Sequence, residues 1–600
     1  MTTQPADWVD RLADEVIADA QRRAELGQRD PAAPIVCASG LSPSGPIHLG
    51  NLREVMVPHL VADEIRRRGI ACEHLISWDD YDRFRKVPGA IPGIDAWNAH
   101  IGKPLSSVPP PPGSPHASWA EHFRVAMTEA LSALGVPFRG ISQTRMYTTG
   151  SYRDQVLLAM RQRAVIDEVL GRYRTKAAPG APAQASATAD VGNAQEAEQA
   201  QGSGAATEDD GSGTGGAYYP FKPYCTACGT DFTTVIGYDE DTTELTYRCA
   251  GPGRDGNPGE CGNTGVMHLD RDFHGKLVWK VDWPMRWAYE GVIFEPSGVD
   301  HQSPGSSYVV GGQVVQEVFG GWQPIGPMYA FVGISGMAKM SSSKGGVPTP
   351  ADALSIMEPH VLRWLYARRR PHQSFTVAFD HEILRLYDEW DALERKVASG
   401  KGQPGDVAAY ARSVGTAQGE LRRTPRPLPY RALCSVVDLT GSHEAQMLRI
   451  LTSMDPRIES LDQVGPRLEL ARTWVQSQAD PSDRTVVLTE PDVALLTSLP
   501  ADQREALDSL ARQLDENWTL DGLTALVYGI PKVQAGLSLA EKKLSPEVKA
   551  AQRAFFATLY QLLLGADTGP RLPTLLLCLG PHRVRRLIGA AVDSADQAQG

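Results

Sequence analysis

The stretch from Ile35 to Glu54, IVCASGLSPSGPIHLGNLRE, concentrates residue types suited to phosphate chemistry. A short β-prone run, Ile35-Val36-Cys37, feeds a Gly/Ser/Pro turn that opens a helix from about Leu49 to Arg68. The free N–H groups and positive dipole end of such a helix favour an anion, and His48 and Asn51 in its first turn can reach the same anion. The spacing is neither G-x-G-x-x-G nor G-x-x-x-x-G-K-[ST]. A second set is built of thiols. Cys225 and Cys228, with Gly229 after them, make a knuckle in which backbone amides donate to sulfur, and Cys249 and Cys261 follow. Four cysteines suit one tetrahedral Zn²⁺ with no open position, which makes the metal structural. A redox dithiol is the alternative, without the fold context that thioredoxin chemistry needs. His268 could replace one thiolate.

His48-Leu49-Gly50-Asn51 resembles the His-Ile-Gly-His signature of class I aminoacyl-tRNA synthetases. Gly336 to Gly346, GMAKMSSSKGG, resembles the Lys-Met-Ser-Lys-Ser loop of the same class. The two stand in the order of that class, with the cysteine cluster between them. Pro43-Ser44-Gly45, Asn51-Leu52-Arg53-Glu54 and the run Ser77 to Lys86 (SWDDYDRFRK) resemble class I lysyl-tRNA synthetases in particular, and the likeness covers most of residues 30 to 380.

The resemblance implies activation of L-lysine with ATP to lysyl-adenylate and pyrophosphate, then transfer to the 3′ end of tRNA(Lys). It implies ATP with Mg²⁺ and a structural Zn²⁺. Catalysis would come from alignment and from stabilising charge on the phosphates. By resemblance, His48, Asn51, Lys339 and Lys344 are catalytic. Pro43, Ser44, Gly45, Gly50, Met340, Ser341, Ser342 and Ser343 join them around ATP. Ser342 stands where the class usually has its second lysine, and Lys344 supplies a cation two residues on. Gly40 and Ser42 line the amino-acid site by the same resemblance, and Trp283, Asp300, His301 and Tyr329 are further candidates for it by their places at strand ends. The acid facing the lysine ammonium stays open among Asp79, Asp80, Asp282 and Asp300. The family's second zinc site would use His116 and His122, but Pro111 and Pro115 stand where acids are expected, and proline ligates no metal. A class I enzyme for glutamate or arginine, or a zinc-ribbon RNA-binding relative that no longer ligates, are the rival readings. Intact His48, Asn51, Lys339 and Lys344 count against the second rival.

These residues need a scaffold. The alternation of strand-like and helix-like segments from Ile35 to about Arg174 predicts a doubly wound parallel sheet, with ligands beyond the strands' carboxyl ends. Expected are strands at Cys72–Trp78 and Val136–Ser142, helices at Ser118–Leu134 and Tyr152–Tyr173, and further strands at Leu277–Trp283 and Val292–Glu295. The alternation makes the fold class α/β, and the resemblance implies a Rossmann-like class I synthetase catalytic domain with a zinc-ribbon insertion, then an all-helical C-terminal anticodon-binding region. The expected divisions are 1–174 and 273–358 for the catalytic domain, 175–217 for a disordered low-complexity insertion and 218–272 for the zinc module. Residues 359–590 form the helical tRNA-binding region and 591–600 a flexible tail. The insertion has one large aliphatic residue, Val191, too few to offset chain entropy.

Six hundred residues are too many for one core, and 42% hydrophobic with 22% charged residues is a globular composition. The N-terminus reads as an amphipathic helix, and the apolar run Leu572–Leu579 is too short to span a bilayer. A cytoplasmic monomer without membrane contact is expected. A net charge of −12 argues against RNA binding over the whole surface, leaving local patches such as Arg66–Arg68, Arg368–Arg370, Arg422-Arg423 and Arg585-Arg586. Cys37, Cys72, Cys434 and Cys578 read as isolated small core residues.

Overall fold

The computed structural model describes residues 7–88, 95–173, 217–251, 261–335, 347–441, 443–478 and 485–589. The chain divides into two compact units. The first comprises Met1–Ala353, Pro359–Val377 and Gly400–Leu421; the second comprises Leu354–Glu358, Ala378–Ser399 and Arg422–Gly600.

The first unit opens with α1 (Trp8–Glu25), capped by Asp7 through a capping box. The central elements follow: β1 (Ile35–Leu41), α2 (Leu49–Arg67), β2 (Cys72–Trp78), α3 (Trp119–Ala133) and β3 (Arg139–Ser142). Three short helices come next, α4 (Gln143–Thr148), α5 (Arg153–Arg161) and α6 (Arg163–Gly171). The helix expected over Tyr152–Tyr173 is therefore two, parted at Gln162. Each buries its own apolar set, Val156, Ala159 and Met160 against Ile166, Val169 and Leu170.

The cysteine-bearing insertion is antiparallel and shares a core with Tyr81, Tyr147, Val156 and Ile166 of the first unit. A stem of β4 (Phe221–Pro223) pairs with β8 (Gly275–Leu277), and between them β5 (Thr233–Tyr238), β6 (Glu244–Cys249) and β7 (Thr264–His268) form a three-stranded sheet. After the stem comes α7 (Trp279–Glu290), where the sequence suggested a strand running to Trp283. A short apolar run fits buried strand and buried helix alike. The helical spacing was present all the same: Trp279, Trp283 and Trp287 recur every four residues and share one face. Next are β9 (Val292–Phe294), β10 (Ser297–Gly298), α8 (Ser307–Glu317), β11 (Met328–Tyr329) and β12 (Val332–Ser335).

The main sheet has strand order β3-β2-β1-β9 and is parallel throughout. Alternation along β1 assigns its faces. Val36 and Ala38 pack with Leu75, Ile141, Trp283, Trp287 and Val315 on the side covered by α7 and α8. Ser39 turns the other way and donates to Glu54 O on α2 at 3.0 Å. Cys37 and Cys72 are not isolated from each other, for their sulfurs lie 3.8 Å apart across β1 and β2.

Described by itself, the second unit is helical. A core of Leu510, Leu523, Phe555, Leu559, Leu575 and neighbouring apolar residues fills its C-terminal part. Nearer its start, buried Arg467 binds Glu358 at 2.7 Å and Asp391 at 2.8 Å, while Tyr387 and Tyr430 stack at 4.0 Å. Among the described residues no helix is long and apolar enough to cross a membrane.

Candidate functional site

The ligand edge of the sheet is where β1 ends and α2 begins. His48 is the N-cap of α2, and its Nδ1 accepts the Gly50 N–H at 3.1 Å. That bond leaves the proton of a neutral ring on Nε2, free to donate to an anion at the helix terminus. Burial holds the imidazole below its ordinary pKa, in the neutral form this role requires. Asn51 lies half-buried one turn on. Pro43 is buried, Ser42 and Ser44 are exposed, and the Ser44 carbonyl accepts the Trp119 indole N–H at 3.0 Å. Gly50 has the His48 ring 2.7 Å from where a Cβ would stand, so any side chain there would displace the imidazole.

The start of α2 is bolted in place by main-chain groups. Leu49 N–H donates to Pro348 O at 2.9 Å, and Tyr366 Oη donates to Leu49 O at 3.1 Å. Arg53, buried and without a carboxylate partner among the described residues, donates to the carbonyls of Ala330, Arg370 and Gln373 at 2.7–3.0 Å. Lys339, Met340, Ser341, Ser342, Ser343 and Lys344 lie outside the described residues.

Beside this edge, a cavity between the sheet and α7 is lined by Gly40, Ser77, Trp279, Trp283 and Glu295 among others. Trp279 and Trp283 stack at 5.3 Å, and the Trp283 ring meets His301 edge-on at 5.6 Å. Strands β10 and β11 pair in parallel, Gly298 opposite Tyr329, which brings the Val299–His301 turn and Tyr329 to one place. The structure thus gathers Gly40, Trp283, His301 and Tyr329, with Asp300 in the same turn.

The acids sort themselves by partner. Asp79 is bound by Arg286 at 2.6 Å, though burial still lifts it to about 6. Asp282 is held by Arg286, by the Tyr147 hydroxyl at 2.5 Å and by Lys276 at 3.5 Å. Asp80 accepts from Ser142 Oγ at 2.6 Å and from Thr144 N–H at 2.7 Å, capping the start of α4. Three of the four acids considered from sequence are thereby committed to the scaffold.

Two acids that sequence reasoning passed over have no ion-pair partner among the described residues. Glu54, half-buried on α2, accepts from the Gly40 N–H and the Tyr329 hydroxyl; burial first, then the Glu295 and Asp79 charges, push it up to about 8. Glu295 follows β9, accepts the Trp283 and Trp287 indole N–H groups at 3.1 and 2.7 Å, and is raised by burial to about 7. The only sequence signal for Glu54 was a carboxylate one turn past Asn51 on a helix whose neighbouring positions are apolar.

In the insertion, the sulfurs of Cys225, Cys228, Cys249 and Cys261 all lie within 4.8 Å of one another. Cys249 Sγ accepts the Gly251 N–H at 3.3 Å and Cys225 Sγ accepts from Asn263 Nδ2 at 3.4 Å. Burial opposes thiolate formation at Cys225, but the Cys228 and Ala227 amides and Asn263 outweigh it and bring the thiol down to about 6. Four sulfurs with N–H donors aimed at them fit a tetrahedral thiolate-bound metal. His268 stands apart, its Nδ1 3.1 Å from Thr242 O. His116 and His122 are near each other, with ring centroids at 5.7 Å, but His122 Nδ1 pairs with Ser114 Oγ at 2.9 Å. Among the described residues the four cysteines are the one group with metal-ligand geometry.

The family model described as tRNA synthetases class I (K) matches residues 6–420. A Streptomyces coelicolor protein named Lysine--tRNA ligase is 61% identical over 594 residues, 98% of this chain and 99% of that protein. Proteins of the same name from Pyrococcus horikoshii and Treponema pallidum are 31% and 29% identical, covering 95% and 97% of this chain and 97% and 98% of their own. With that match spanning both the capped helix and the four-cysteine module, the chain belongs to the class I tRNA synthetases (K).

Proposed function

We propose that the protein is a lysine–tRNA ligase, activating L-lysine with ATP and transferring it to tRNA(Lys). The observation that carries this reading is a phosphate-seeking helix start, capped by His48, set beside a cavity with stacked indole walls and acids that form no ion pair among the described residues. Lysine brings what such a site lacks: an ammonium for a buried acid and an aliphatic stem for the indoles. The near full-length likeness to the Streptomyces coelicolor ligase supports the same substrate.

His48 Nε2–H and Asn51 would contact the ATP phosphates, with Pro43, Ser44, Gly45 and Gly50 shaping the approach. Lys339 and Lys344 would neutralise the departing pyrophosphate, and Met340 with Ser341 to Ser343 would complete its cradle, with Mg²⁺ accompanying ATP. Gly40, Ser42, Trp283, Asp300, His301 and Tyr329 would line the lysine site, with Glu54 as an ammonium acceptor. Zn²⁺ on the four cysteines would hold the 218–272 module together, and the helices within 359–590 would read the tRNA. We place the enzyme in the cytoplasm as a monomer.

The test is charging of total tRNA with each of the twenty amino acids. Lysine alone should be attached. Charging with glutamate or arginine would overturn the substrate, and no charging at all would favour a non-ligating relative.

A further inference from the structure

On the face of the main sheet covered by α2, three polar side chains are almost wholly buried: Ser39 on β1, His74 on β2 and His59 on α2 itself. Their hydrogen bonds fix both imidazole tautomers. Ser39 Oγ has one proton and donates it to Glu54 O at 3.0 Å. Toward His74 Nε2, at 2.9 Å, it must therefore accept, so the His74 proton is on Nε2. His59 is the reverse case. A guanidinium only donates, so Arg363 Nη1 at 3.0 Å makes His59 Nε2 the acceptor and leaves the ring proton on Nδ1. Arg363 is itself anchored, on the carbonyls of Leu134 and Arg412 at 2.8 Å each. Burial above all keeps both rings neutral, with His74 lowered to about 3.

The two remaining nitrogens, His59 Nδ1–H and His74 Nδ1, have no hydrogen-bond partner among the described residues, and the ring centroids are 6.1 Å apart. One is a donor and the other an acceptor. A single buried water accepts from the first and donates to the second. The line of bonds then runs from Arg363 to Ser39 and ends on Glu54. There it meets a second bond, for the Gly40 N–H holds the Glu54 side chain. Residues 39 and 40 thus grip one residue of α2, a turn beyond Asn51, on the helix that His48 caps.

We propose that His74 is a positioning residue for adenylate formation, linked to His59 by one buried water. Through Ser39 it sets the end of β1 against the first turns of α2, and so the amino-acid cavity against the anion-binding helix start. The substrate named in this role rests on the lysine reading above; the line of bonds does not. Misplacing a reactant by about 1 Å can lower a rate about 10²-fold, which gives such a clamp its leverage.

The test uses the full-length enzyme with tRNA present, as wild type, His74→Gln, His74→Leu and Ser39→Ala. Glutamine brings an amide N–H near the place of His74 Nε2–H, whereas leucine brings none. In lysine-dependent pyrophosphate exchange, His74→Leu and Ser39→Ala should lower kcat about tenfold or more with lysine KM within about threefold, and His74→Gln should restore most of that loss. NMR of the ring nitrogens in histidine-labelled enzyme, assigned with His59→Gln and His74→Gln, should show Nδ1–H at His59 and Nε2–H at His74. His74→Leu and Ser39→Ala enzymes that keep wild-type kcat, whatever their thermal stability, would make the bonds structural only and overturn the role. Equal loss in His74→Gln and His74→Leu would do the same, and the opposite tautomer at either ring would break the line. Wild type that activates a different amino acid would sink the lysine reading, while the same kcat ratios, measured with that amino acid, would still decide the clamp.

Discussion

The N–H of Gly50 donates to Nδ1 of His48 at 3.1 Å, so one imidazole both caps the helix it precedes and is left with its proton on the outward nitrogen. The two duties can be separated. Asparagine is an equally good cap but offers no imidazole N–H at that reach. His48→Asn should keep its thermal midpoint within about 2 °C of wild type and lower kcat for adenylate formation about 10²–10³-fold, as for loss of a transition-state donor. His48→Ala should lose a further 0.5–2 kcal/mol or so of stability. Equal stability loss in both variants would mean that the cap is not made.

Glu54 and Glu295 make an unusual pH dependence. Their folded pKa values, about 8 and about 7, lie above the ordinary value of 4.5, because burial favours the neutral acid. The folded protein therefore holds protons that the unfolded chain has released, and their contribution to stability falls as pH rises from about 4.5 to 8. An ammonium of lysine paired with these anions would reverse the preference. Calorimetry of lysine binding at pH 7 in buffers of different ionisation enthalpy should show release of about one proton. Release should shrink in Glu54→Gln. Binding without any proton release would remove both acids from the lysine site.

Metal content separates the two candidate zinc sites. Elemental analysis should give about one Zn²⁺ per chain, held by the four cysteines. Cys225→Ser should lose it and unfold the module, since ligation and folding are one equilibrium in such sites. Two tightly held ions would show that His116 and His122 still ligate despite Pro111 and Pro115.

On the reading proposed above, the lysines of the GMAKMSSSKGG segment serve the phosphates and not the amino acid. Lys339→Ala with Lys344→Ala should lower kcat for adenylate formation while lysine Kd stays within about twofold, the signature of charge used in the transition state. A parallel loss of lysine affinity in calorimetry would argue against that division of labour.

What the sequence made legible was local. The strand–turn–helix around His48 and the cysteine knuckle at Cys225 are each complete within a few residues, and each was read with its chemistry. The run Leu277–Trp283 was misread as a strand because Leu277, Trp279, Val281 and Trp283 alternate with Lys280 and Asp282 at the period of a strand, while Trp279, Trp283 and Trp287 also carry the spacing of a helix. The acids failed for another reason. Nothing in the letters separates Asp79, Asp80 and Asp282, which Arg286, Lys276, Ser142 and Thr144 engage, from Glu54 and Glu295, which form no ion pair among the described residues. That difference arises only when strands hundreds of residues apart in sequence lie side by side.

The strand order β3-β2-β1-β9 carries a consequence for biosynthesis. One side of β1 is paired by β2 within forty residues, but the other waits for Val292 and Phe294, which follow the whole cysteine module. A ribosome adding roughly 5–20 residues per second needs some tens of seconds to supply them. Through that interval the strand leading into Gly40 has one bare edge, the row of unpaired amides and carbonyls that recruits foreign strands. The strand at the centre of the finished site is thus, during synthesis, an edge in need of protection.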